Sequence, residues 1–118
     1  MQITLHQRRT MANHYQDSLV ARVVERLYRA LPGRMSRLAP AEARALGGEA
    51  LARLHAAGFS AEPQVAGLLE YVLAFGLNLA GERAREVLAD RALNHRGKAR
   101  RLGELALALD PHRRGAPR

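Results

Sequence analysis

The sequence predicts an all-α fold, a compact bundle of four to five helices with a long amphipathic first helix. Three observations predict it. Apolar residues recur at three- and four-residue steps, with no sustained alternation. Strong helix formers (Ala, Leu, Arg, Glu) dominate and β-branched residues are few. Pro and Gly fall where helices should start and stop. The 118 residues suit one domain with one modest core. Residues 1–110 are assigned to that single helical domain, and 111–118 to a disordered basic tail. The aromatic residues are Tyr15, Tyr28, Phe59, Tyr71 and Phe75, so the core must come from Leu, Val and Ala.

The first helix is expected from about Leu5 to Leu31. Gln16, Leu19, Val20, Val23, Val24, Leu27 and Leu31 form one stripe along it. Met11, Tyr15, Arg22, Arg26 and Arg29 form a second stripe. Pro32-Gly33 should end the helix, with a loop from Gly33 to Leu38. A second helix should begin near Pro40 and bury Ala43, Leu46, Ala50, Leu54 and Ala57. Gly47-Gly48 marks either a close helix crossing or a break, and Gly58 reads as the C-terminal cap. Ser60 reads as the N-cap of a third helix with Val65, Leu68, Leu69, Val72 and Phe75 on its apolar face. That helix is apolar on most sides, which makes it the expected central one, and Gly76 should stop it. A short fourth helix, about Gly81 to Asp90, offers Ala84, Val87 and Leu88. Asn94-His95-Arg96-Gly97 reads as a turn. The last helix, about Lys98 to Leu109, offers Leu102, Leu105, Ala106 and Leu109, and Pro111 should end it.

Charge is unevenly placed. The net value is +8, with 18 of the 19 cations being Arg. Residues 1–37 carry seven Arg against two acids, and residues 96–118 carry six Arg and Lys98 against two acids, so each end is +5. Residues 38–95 carry five Arg against seven acids, so the middle is −2. Basic ends suit an acidic protein or a polyanion, and Arg offers a planar fork for carboxylates and phosphates. A GC-rich genome that uses Arg wherever Lys would serve accounts for the same bias.

Several function classes find no support. The absence of cysteine removes disulfides and thiolate metal sites and fits a reducing cytoplasm, the expected location. The N-terminus has no apolar stretch after its charges, so no signal peptide is expected. The longest apolar window, Val65 to Leu79, contains Glu70 and Asn78 and is too short and polar to span a membrane. The histidines His6, His14, His55, His95 and His112 form no i, i+4 pair, so no metal and no cofactor are expected. Glu82, Glu86 and Asp90 form an i, i+4 row that reads as a solvated helix face. No Ser or Thr sits in a nucleophile elbow, and Gly47-Gly48 lacks the Lys-Ser/Thr of a phosphate loop, so no catalytic residue is assigned. The best nucleic-acid candidate, Arg96 to Arg101, has no interleaved aromatic and no convincing helix-turn-helix before it.

The order of signals resembles a family of small all-α accessory proteins, co-chaperone- or adaptor-like, encoded in type VI secretion effector clusters. The resembling features begin with a long amphipathic first helix ending in Leu31-Pro32. Next come Ala56-Ala57-Gly58-Phe59 and Glu62-Pro63-Gln64-Val65. Glu70-Tyr71, Phe75-Gly76, Val87-Leu88-Ala89-Asp90, and Lys98 with Leu102 complete them, over roughly residues 10–106. The chain departs from that pattern after Gly76, where it reads Leu-Asn-Leu-Ala-Gly, and in being more basic. The resemblance implies a non-enzymatic accessory acting beside an effector's chaperone, with a stable protein partner, either that chaperone or the effector.

The residues themselves point the same way, to a protein partner with an acidic surface. The expected contact is Met11, Tyr15, Arg22, Arg26 and Arg29, residue types enriched at interfaces. An ordinary solvated helix face with one half-buried Tyr accounts for the same stripe. Two alternatives stay open: an immunity protein neutralising a toxin, and a basic helical nucleic-acid-binding protein.

Overall fold

The computed structural model describes the backbone of residues 5–109 and the side chains of residues 18–109. Within that span every regular element is a helix: α1 (Leu5–Ala30), α2 (Pro32–Met35), α3 (Pro40–Ala56), α4 (Glu62–Phe75), α5 (Glu82–Ala89) and α6 (His95–Ala108). The protein is all-α, with six helices among the described residues in place of the four to five expected. Residues 111–118, assigned from sequence to a tail, lie outside the described residues. No helix among the described residues is long and apolar enough to cross a membrane.

The additional element is α2, which the sequence reading treats as loop. From sequence alone Pro32 reads only as a stop. It ends α1 because it lacks an amide proton, and the same property suits the first position of a new helix. Leu31, with φ −132° and ψ 57°, makes the break between them. The turn so formed drives Met35 into the core, where it is fully buried. Ser36 Oγ donates to the Gly33 carbonyl at 2.8 Å, and the Tyr28 hydroxyl donates to the Leu38 carbonyl, tying the connection back onto α1.

The core is built from Leu and Val of α1 (Leu19, Val20, Val23, Val24, Leu27) against α3 and α4. α4 is the central helix: it packs on α1, α2, α3 and α6. Val65, Leu68, Leu69 and Leu73 supply its buried face, while Val72 and Phe75 are only partly covered. α3 buries Ala43, Gly47, Ala50, Leu51 and Leu54. Two expected core positions are therefore corrected: Leu46 is 41% exposed and Leu109 is 46% exposed. At Gly47 the crossing with α1 is so close that a Cβ would stand 2.7 Å from Val20 Cγ1. A small residue takes the inward position, and its Leu neighbour is rotated outward.

Helix ends are fixed by local hydrogen bonding. α3 closes in a Schellman motif: Phe59 N–H donates to Leu54 O and Gly58 N–H to His55 O, both at 3.0 Å. Gly58 takes φ +93°, and Gly76 takes φ +78° after α4, so both stops read from the sequence are left-handed glycine caps. The Ser60 expectation is corrected. Ala61 is the N-cap of α4, with no side-chain cap bond, and Pro63 sits in the first turn. The turn expected at residues 94–97 is likewise the start of α6: the Asn94 side chain accepts from Gly97 N–H at 2.8 Å. The 77–81 connection is pinned by buried Leu77 and Leu79 and by Asn78 Oδ1, which accepts from Ala80 N–H.

Candidate protein-binding surfaces

α1 carries Arg22, Arg26 and Arg29 exposed along one flank of its Val and Leu stripe. The spacing that aligned them in sequence aligns them in space. Each meets a carboxylate. Arg22 Nη2 donates to Glu62 Oε1 at 3.0 Å and Arg26 Nη2 to Glu70 Oε1, both reaching across to α4. Arg29 lies 3.3 Å from Glu25, one turn back on its own helix. Together with Leu19, Val23 and Ala66 these side chains wall a shallow groove of about 590 Å³ between α1 and α4.

The stripe is therefore a ladder of ion pairs, not a row of bare cations. The sequence reading could not anticipate this, because Glu62 and Glu70 lie 40 and 44 residues away. Exposed pairs of this kind are each worth about 0–1 kcal/mol, so a partner's carboxylate could displace Glu62 or Glu70, but the exchange gains little. The side chains of Met11 and Tyr15, the other members of the expected contact, lie outside the described residues.

A second groove, of about 570 Å³, opens where α2, the end of α4 and the end of α6 meet α3. Its floor is Val72, Leu73 and Phe75, and its rim holds Leu46 and Leu109, the two large exposed apolar residues among the described residues. The Arg34 guanidinium lies 4.4 Å from the centre of the Phe75 ring, a cation–π contact that leaves an aromatic face and a charge side by side. Arg37 lines the same groove, and among the described residues no carboxylate does. Leu46 also borders the adjoining hollow, which contains Glu49 and Arg53 at its polar edge. Isolated exposed apolar residues are ordinary; two of them bordering one concave site with a half-buried Phe and two Arg are an interface composition.

The remaining candidates are structural. The His95 ring packs on Phe59 with centroids 4.9 Å apart, and its Nε2 lies 3.3 Å from the Ala57 carbonyl. His95 thereby clamps the start of α6 to the end of α3. Asp90 leaves the expected Glu82, Glu86, Asp90 row, because it follows the end of α5 and accepts from Ala92 N–H at 2.9 Å. Among the described residues no group of three or more His, Asp or Glu could hold a metal ion. The sequence matches no protein-family model, and no curated protein or solved structure matches the chain.

Proposed function

We propose that the protein is a non-enzymatic, protein-binding accessory of the co-chaperone or adaptor kind. On the resemblance of its motif order, it assists loading of a type VI secretion effector through that effector's chaperone. The observation that carries the protein-binding reading is the groove around Phe75. Leu46, Leu109 and the Phe75 edge are apolar area left in contact with water at one concave place, beside Arg34 and Arg37. Arg and aromatic side chains are the types that concentrate binding energy at interfaces. Covering such area in a complex removes apolar surface from water at about 25 cal/mol per Å².

The test is co-expression of the full chain with the products of its neighbouring genes, followed by size-exclusion chromatography. A stable complex with an effector or its chaperone is the expected result. Separate elution from every neighbouring product would remove the reading.

A further inference from the structure

We infer that the chain self-associates as an antiparallel, two-fold dimer in which the solvent-facing side of α3 packs on the same side of α3 in a second copy, with Glu42 of each opposite Arg53 of the other. This goes beyond the accessory-protein reading and does not depend on it.

α3 packs on α1 and α4, and among the described residues no other element touches it. A helix face left to water ordinarily carries charged and polar side chains. The middle of this one carries Ala41, Ala45, Gly48, Ala52 and Ala56, all exposed, and spacings of four, three, four and four residues set them in one line. Leu46, 41% exposed, stands beside that line. A Cβ on Gly48 would meet nothing within 4 Å, so the centre of the face is open to close approach.

The charges decide what covers this face. Glu42 and Arg53 are exposed on the Leu46 flank, 11 residues and so about three turns apart. Among the described residues neither is in an ion pair, and neither is Arg44 or Glu49. The midpoint between Glu42 and Arg53 falls between Gly47 and Gly48. A two-fold axis through that point brings the same flank of each helix together and sets Glu42 against Arg53 of the second copy, twice. The same axis interleaves the small residues. Along the seam the order is Ala41, the second copy's Ala52, Ala45, the second copy's Gly48, with steps of about 3 Å. A parallel copy would instead set Glu42 beside Glu42 and Arg53 beside Arg53. The net +8 of each chain does not stand at this seam: α3 holds two acids against Arg44 and Arg53, while residues 1–37 and 96–118 each carry +5. One helix pair is small beside the roughly 1,200–2,000 Å² of a standard interface, so a dissociation constant of about 10–100 µM is expected.

The experiment is sedimentation velocity of the full chain from about 5 to 500 µM, a span that brackets that constant. The mean mass should climb from 13.0 kDa toward twice that value. Glu42→Arg and Arg53→Glu should each weaken association at least about tenfold, and the two exchanges together should restore it, all with unchanged circular dichroism. Ala52→Arg should abolish it by filling the seam. Because the chain holds no cysteine, Gly48→Cys reports the axis directly. It should cross-link under mild oxidation, whereas Ala56→Cys, about 25 Å from its counterpart along the seam, should not. A chain still monomeric at about 500 µM would overturn the inference. So would cross-linking at both sites, which marks a parallel pair, or a double exchange that restores nothing. A dimer that survives Ala52→Arg would belong to another face, such as the Phe75 groove. If the chain is monomeric and Ala52→Arg breaks a complex with a neighbouring gene product, the α3 face belongs to that partner, and the dimer falls while the accessory reading stands. A dimer with this register that binds no neighbouring product would leave the inference standing and remove the accessory reading.

Discussion

Gly47 and Gly48 stand next to each other in α3 and face opposite fates. A methyl group on Gly47 would meet Val20 Cγ1 at 2.7 Å, whereas one on Gly48 would meet nothing within 4 Å. Val20 cannot turn aside cheaply, because a β-branched side chain in a helix holds one strongly preferred rotamer. Gly47→Ala should therefore destabilise the protein by about 1–3 kcal/mol through overpacking, despite the better helix propensity of Ala. Gly48→Ala should gain about 0.5–1 kcal/mol. Urea midpoints at a constant slope check both, and a stabilising Gly47→Ala would show that α1 and α3 are not in contact there. The Arg26–Glu70 pair offers a second measurement. Its side chains are 55% and 37% exposed, so solvent screens it, and a double-mutant cycle to Ala should return a coupling below about 1 kcal/mol that fades in high salt. The stripe that the sequence marks as an interface is held to α4 only weakly.

Helix starts separate what propensity can say from what geometry decides. Asn94 accepts a backbone proton from Gly97, so Asn94→Ala should cost about 1 kcal/mol. Ser60 lies outside the cap of α4, so Ser60→Ala should stay within about 0.5 kcal/mol of wild type. Equal costs in thermal melts would contradict the cap assignments. The Asn94 change should spread further: among the described residues α5 packs on no helix but α6, so amide exchange in α5 should quicken when the start of α6 frays. Periodicity and glycine signals located α1, α3, α4, α5 and α6, and glycine caps at Gly58 and Gly76 set two of their ends. What sequence could not reveal was which residue of Leu46-Gly47 turns inward. A hydrophobic count favours Leu, but the crossing distance between α1 and α3 favours Gly. The groove at Phe75 follows from that choice, so it was hidden together with it. The Met35 turn was hidden because a proline that ends one helix can begin the next. The α1 arginines were legible as a stripe, and their carboxylate partners, distant in sequence, were not.

At the scale of the whole molecule the charge pattern decides how the protein meets polyanions. α6 carries Arg96 and Lys98 near its start and has no acid in its first turn, so cations sit at the positive end of the helix dipole. Arg100 and Arg101 extend the row, with Glu104 3.6 Å from Arg100. This local excess attracts phosphate, yet it carries no arrangement for reading bases: no Phe, Tyr or Trp lies among residues 95–109 for stacking. With a net +8 and these side chains, binding to DNA should be weak, independent of sequence and dominated by counterion release. If about four phosphates are contacted, affinity should fall about a hundredfold between 50 and 200 mM salt. Fluorescence anisotropy with two unrelated duplexes over that range is the measurement, and amide shifts should centre on residues 94–101. Tight binding to one duplex at physiological salt would instead make nucleic acid the principal partner.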